Sequence, residues 1–482
     1  MDSLYNAYIS LVDNDAQDAK HRRAAQRYLD NSSAKWDGHA VYASYMPRIL
    51  SEKHKLVFSD IVSTTCSILE KCIARYFESE EFRDAFRLDP RIRELIELPS
   101  FEERFFWRIL SGEDMCAMPY ARLDIFYDED TLDFKFCEFN ADASSGMNEN
   151  EEIYNAIKPS LPFEVFSKKY SVSTDIETHY DGWVQALLRR YRALKCAKEN
   201  PVIAIVGVFE SDNPNLGEFQ KFAKRFEANG CTCAVYDARH LRYKDGSLYG
   251  THALVGKDNL KIDCIWRYSI AVDVVRYWDE CKDFISALRD AALPIFGSFK
   301  TQLVHDKQLF AVLQNDELTK FLSEEEREFL HKHLPKTAFL EDVFDGKVPW
   351  LNASDLYEHP QNWILKPIDW YSCIGVYAGR DYVDGVCGKE SWKEIVQTCL
   401  HTEGSPYIVQ EFCTPYKLPV IPLYGKEEDA IAAPRDFDAL TGLYAYNGNY
   451  NGVFSRLGPT GVITNKNGGV SAATVWVDDK KL

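Results

Sequence analysis

The spacing of apolar side chains changes along the chain, and the changes mark its parts. Up to about residue 112 the apolar positions recur at helical spacing, as from Ile61-Val62 to Ile68-Leu69 and from Phe101 to Ile109, which predicts a helical N-terminal region over 1–112. From Ala121 to Asp142 alternation replaces it. Arg122, Asp124 and Phe126 then share one strand face. In the next run Phe134, Phe136, Glu138 and Asn140 share a face, while Lys135, Cys137 and Phe139 point the other way. The acidic turn Asp128-Glu129-Asp130 folds the two runs into a hairpin.

A helical stretch from Trp183 to Leu194 leads to Pro201, and Val202 to Val208 is a continuous apolar run suited to a strand covered on both faces. Ser211 to Asn215 reads as a turn. Phe219, Phe222, Ala223 and Phe226 return to helical spacing, Gly230 closes that helix, and Cys233 to Asp237 is a second strand, which completes a Rossmann-like β-α-β unit. Neither G-x-G-x-x-G nor G-x-x-x-x-G-K-[ST] occurs, so the unit is not a dinucleotide or P-loop site by sequence.

In the second half, Val304-His305-Asp306-Lys307 opens a helix ending near Leu313, and Ser323 with Glu326 has the spacing of a capping box. Trp363 to Pro367 predicts a strand with Lys366 near its end, Ser372 to Gly375 a turn of small residues, and Tyr407 to Phe412 another strand. The Asn-Gly steps at 447–448 and 451–452 favour tight hairpin turns, which places Arg456 on an antiparallel strand. These elements predict a mixed α+β and α/β protein: a helical region over 1–112, the hairpin and Rossmann-like unit over 113–290, and a third region over 291–482.

Composition narrows the picture. A chain of 482 residues with 46% hydrophobic content can bury a large core. A formal charge of −18 argues against a general nucleic-acid surface, so any anionic ligand must meet a local cluster of lysine and arginine. Thirteen cysteines form no C-x-x-C pair, and most sit in apolar runs, which suits buried thiols better than disulfides or zinc. The first twenty residues show no basic segment leading an apolar one, and no run approaches the roughly 18 apolar residues that span a bilayer. The expectation is a soluble cytoplasmic protein without membrane or nucleic-acid partners.

The hairpin carries the candidate chemistry. If its polar faces coincide, Asp124, Glu138 and Asn140 present hard oxygen ligands beside the guanidinium of Arg122, a combination suited to Mg²⁺ bridging a phosphate while arginine holds another oxygen.

The continuation Asn140-Ala141-Asp142, then Ser144-Ser145-Gly146 and Asn148 to Glu152, following Arg122-x-Asp124 and Glu138-x-Asn140, resembles the glutathionylspermidine synthase family. Members of that family carry Arg-x-Asp, then Glu-x-Asn-Ala-Asp, then hydroxyl residues and a glutamate. The resemblance extends over most of the chain after about residue 110 and implies an ATP-grasp fold behind the Rossmann-like unit, with ATP and Mg²⁺ as cofactors. It also implies an ADP-forming ligation: the γ-phosphoryl group passes to a substrate carboxylate, and an amine displaces phosphate to leave an amide. Carried over to these residues, it assigns Arg122 and Arg456 to catalysis and Asp124, Glu138 and Asn140 to the metal. Lys307 and Lys366 would reach the phosphates, Ile374 and Gly375 belong to a covering loop, and Gln410, Glu411 and Phe412 form the adenine hinge. Asp142, Ser144 and Ser145 would meet the carboxylate substrate. Ala143 stands where relatives carry a hydroxyl residue, which leaves the identity of the acid open. The partners implied are a peptide-like carboxylate and an amine. A nucleotide-binding sensor or scaffold, and a small-molecule kinase, would use the same ATP site.

Overall fold

The computed structural model describes residues 2–36, 38–99, 101, 117–142, 144–210, 215–383, 391–423, 433–478 and 480. Val202–Gly207 and Thr232–Asp237 pair in parallel, and the sheet grows on the other side through Cys264–Arg267 and Ile295–Phe296, all parallel. The apolar run at 202 reflects cover on both faces: Ile203 and Ile205 pack with Phe219, Phe222 and Phe226 of the helix Gly217–Ala228, while Ala204 and Val206 join the opposite core. Gly230, at φ +84°, turns the chain after that helix as the sequence predicts. Most of the turn expected at Ser211 to Asn215 lies outside the described residues, as does most of the helical segment expected from Phe101 to Ile109.

A second sheet is antiparallel, in the order Thr337–Phe339, Tyr407–Glu411, Trp363–Pro367, Tyr377–Ala378. A third, of eight strands, centres on the pair Arg435–Tyr446 and Asn449–Gly458. Its turn residues Asn447 and Gly448 both have positive φ (+47° and +74°), the conformation that an Asn-Gly hairpin turn requires. Next to Arg435–Tyr446 lies the hairpin Tyr120–Tyr127 and Phe134–Asn140.

Two expectations need correction. The N-terminal region is not helical throughout: after helices Asp2–Asp13 and Asp18–Asn31, short strands precede the helix Glu52–Glu78. Of these strands, Ala43–Ser44 enters the large sheet and Arg48–Ser51 pairs in parallel with Thr474–Val477 near the other end of the chain. These pieces are too short for periodicity to register. They also explain the acidic turn. Glu129 is fully buried because Arg48 reaches it at 2.9 Å, Tyr5 donates to it at 3.2 Å, and the same arginine donates to Thr441 Oγ1 at 2.7 Å. A buried carboxylate needs this full set of partners.

The second correction concerns Lys307. Two short helices, Gln302–His305 and Gln308–Val312, replace the single expected helix, and the break at Asp306-Lys307 lets the Lys307 N–H donate to the Ile368 carbonyl at 2.7 Å. The capping box of Ser323 and Glu326 forms as predicted. Among the described residues no helix is long and apolar enough to cross a membrane.

Candidate active site

The register of the hairpin decides what the site contains. Arg122 lies opposite Asn140 and Asp124 opposite Glu138, but Ile125 lies opposite Phe136, so Cys137 is an extra residue on the second strand. A β-bulge of this kind reverses the alternation beyond it. Phe134 and Phe136 therefore enter the core with Leu123, Ile125 and Phe139, while Cys137 and Glu138 both reach the cleft beside Phe126. The single face expected for Phe134, Phe136, Glu138 and Asn140 is thus split. Arg122, Asp124, Glu138 and Asn140 do converge, on the face the two phenylalanines do not share.

Asp124 is buried, and Arg122 grips it with two hydrogen bonds, Nε to Oδ1 at 2.7 Å and Nη2 to Oδ2 at 2.9 Å. The Asn140 amide adds a third at 3.0 Å and lies 3.4 Å from Glu138 Oε1. Burial still pushes the Asp124 carboxyl above its ordinary value, against the pull of Arg122. Arg122 also donates to the Ser145 carbonyl at 2.6 Å and lies over the Phe454 ring, 4.8 Å from its centroid. Gly442 makes room for this arrangement: a Cβ there would fall 2.7 Å from Arg122 Cδ and 2.8 Å from Asp124 Oδ1. Arg456 approaches the same Phe454 ring from 5.0 Å and lies 3.9 Å from Glu149. Its buried Nε has no hydrogen-bond partner among the described residues.

Glu138 is the electrostatic centre. Burial alone would raise its pKa, but Lys307, Lys366 and Arg122 outweigh burial and hold it at about 2. Lys307 Nζ lies 3.7 Å from Glu138 Oε2 and donates to the Trp370 carbonyl at 2.7 Å. Lys366 Nζ donates to the Cys137 carbonyl at 3.0 Å and to Gln410 Oε1 at 2.8 Å, and Gln410 is oriented in turn by its own bond to Thr337 Oγ1 at 3.0 Å. Both lysines are buried, Lys307 being 6% and Lys366 5% exposed, so neither is a solvated surface charge.

Between the antiparallel sheet and the hairpin face lies an open cleft. Lys366, Gln410, Glu411 and Phe412 line it, with Glu138 and Cys137 at its hairpin wall. In the segment 372–376, Cys373 and Val376 reach the cleft; Ile374 is 43% exposed, and Gly375, at φ +71°, passes so close to Tyr407 that a Cβ would fall 2.7 Å from its hydroxyl. Tyr371 ties this loop to the Rossmann-like unit by donating to Asp273 Oδ1 at 3.0 Å.

The three residues assigned to the acid substrate separate. Asp142 is buried and forms an ion pair with Arg267 at the end of a parallel strand, accepting also from Thr301 Oγ1 at 2.5 Å. Ser144 is buried and donates to the Asn140 carbonyl at 2.8 Å, whereas Ser145 is exposed and offers its carbonyl to Arg122 and Tyr444. Ala143 lies outside the described residues. Behind this segment, Glu218 accepts from the Gly146 and Asn148 N–H groups at 3.1 Å each, at the start of the helix Met147–Ile157, and burial pushes its pKa up to about 7. Sequence reasoning missed Arg267, Glu218, Phe454, Arg380 and the wall Gly461-Val462-Ile463. The one available signal was Arg267, a charged residue ending an apolar strand.

The chain has the fold of glutathione synthetase-like proteins. A glutathione synthetase-like effector from Globodera pallida superposes with a TM-score of 0.54 over 95% of this chain and 96% of that one, at 13% identity. A protein assigned as a gamma-glutamylcysteine synthetase from Methylobacillus flagellatus KT aligns over 88% of this chain and 86% of its own at 11% identity, with a TM-score of 0.38 that is too low to weigh. No protein family and no curated relative matches by sequence.

Proposed function

We propose that this protein is an ATP-dependent carboxylate–amine ligase, glutathionylspermidine synthase-like, that forms an amide through an acyl phosphate and releases ADP. The observation that carries the reading is that Glu138 and Lys366 meet at one side of a cleft whose remaining walls are largely apolar, with Lys307 and the Arg122–Asp124 pair adjoining Glu138. Such a cleft accommodates a base in its apolar part and places cations where a triphosphate ends. In this ATP-grasp arrangement residues 291–482 supply most of the nucleotide cleft, and 113–290 supply the hairpin and the Rossmann-like unit.

The donors suit Mg²⁺, which takes one or two carboxylates and completes its shell with water and phosphate oxygens. Glu138 is ionised at neutral pH, and its side chain is 25% exposed, with Asn140 at 3.4 Å and Lys307 at 3.7 Å from its oxygens; Asp124 shares its oxygens with Arg122 and Asn140. Glu138, Asp124 and Asn140 would hold the ion, which when bound neutralises charge on the phosphates. Lys307 and Lys366 bind and orient the phosphate chain. Arg122, fixed by Asp124 and by the Ser145 carbonyl, would stabilise the reacting group, as a preoriented cation does when charge develops. Arg456 supplies a second guanidinium against the same ring for the anionic acid.

The reaction is tested by isotope. ADP release is first screened against pooled thiol peptides, amino acids and polyamines to find the acid and amine. With that acid labelled by ¹⁸O in its carboxylate, the released phosphate should carry one labelled oxygen. Label in AMP would overturn the ADP-forming reading, a phosphorylated end product would indicate a kinase, and no turnover with any pair would indicate a sensor or scaffold.

A further inference from the structure

Arg380 was not singled out by any sequence pattern, yet it joins three walls of the cleft. It lies on the short helix Gly379–Val383, just beyond the edge strand Tyr377–Ala378 of the antiparallel sheet. Its guanidinium sits 4.7 Å from the centroid of the Phe412 ring, which lines the cleft. It also forms an ion pair with Asp438, two residues before the lining residue Leu440 on the long strand of the large sheet. Its Nε lies 3.8 Å from Asp381, and Asp381 accepts the Gly461 N–H at 2.8 Å, fixing the start of the third wall, Gly461-Val462-Ile463. Gly461 permits that approach: a Cβ there would fall 2.7 Å from Ala378 Cβ and 3.1 Å from Arg380 Nε. A guanidinium is the side chain that can lie on an aromatic face and bind a carboxylate in its plane at the same time.

We propose that Arg380 is a positioning residue for the nucleotide base. It holds the Phe412 ring, the Leu440 strand and the 461–463 wall at a set separation, so affinity for the base, and not for the phosphates, depends on it. This rests on the reading of the cleft as a nucleotide site. The phosphate cations Lys307 and Lys366 make none of these contacts. Asp438 keeps a second cation, Lys417, at 3.4 Å, so removal of Arg380 does not leave a buried carboxylate alone.

The test compares wild type, Arg380→Ala and Arg380→Lys by calorimetry with three ligands: ATP, adenosine and inorganic tripolyphosphate. Arg380→Ala should weaken adenosine and ATP by the same factor, about tenfold, as expected for loss of a partly desolvated cation–π and ion-pair contact, and leave tripolyphosphate unchanged. Arg380→Lys should recover only part of the loss, because an ammonium keeps the charge opposite Asp438 but cannot lie flat on Phe412. Unchanged adenosine affinity in Arg380→Ala, or an equal loss for tripolyphosphate, overturns the proposal. If wild type binds none of the three ligands, the nucleotide reading itself fails. The clamp is then judged by hydrogen exchange of the unliganded protein: peptides containing Gly461 should exchange faster in Arg380→Ala, and unchanged exchange overturns it.

Discussion

Replacing Glu138 by Gln tests the electrostatics of the site directly. The carboxylate faces two buried lysines and an arginine, and its pKa of about 2 lies below the ordinary glutamate value of 4.5. A depressed folded-state pKa contributes stability that is present above the unfolded value and is lost as pH falls toward the folded one. The difference corresponds to about 3 kcal/mol at pH 7, falling to roughly half of that at pH 3, because the unfolded carboxylate protonates below its ordinary value while the native one keeps its charge until the pH approaches the folded value. Gln keeps the shape and removes the charge, leaving Lys307 and Lys366 without their shared counter-charge. Urea unfolding of wild type and Glu138→Gln at pH 7, 4 and 3 should therefore give a stability gap that narrows steadily toward acid, and the variant should form no ADP at pH 7. A gap of the same size at every pH would show that the carboxylate acts through packing, and would refute the argument that the lysines set its charge.

Two other perturbations address neighbouring parts. Lys366→Ala should weaken ATP by on the order of tenfold or more while leaving adenosine nearly unchanged, because only the phosphate chain loses a cation; calorimetry with both ligands decides, and equal weakening would mean that the freed Gln410 has disturbed the cleft as a whole. Tyr371→Phe removes the donor to Asp273 and should cost about 1 kcal/mol of loop anchoring, read as roughly fivefold faster hydrogen exchange over residues 369–376 without nucleotide; unchanged exchange would show that the loop is held from the Lys307–Trp370 side alone.

Local patterns in the sequence were enough to locate the hairpin, the parallel β-α-β unit, the capping box and the Asn447-Gly448 turn, because each depends on a short-range period or on the conformational freedom of one or two residues. The convergence of Arg122, Asp124, Glu138 and Asn140 was legible for the same reason: strand alternation brings them together without help from the rest of the chain. What alternation could not show is the bulge at Cys137, since one extra residue leaves no mark in composition and shows only in the partner strand's register. Nor could it show pairings between distant segments. Asp142 and Arg267 meet across 125 residues, Arg48 and Glu129 across 81, and Arg380 finds Asp438 and Phe412 only because two sheets close on one cleft. Burial decides those contacts: a charge taken out of water must find its partner wherever the fold brings one, and that choice belongs to the tertiary structure.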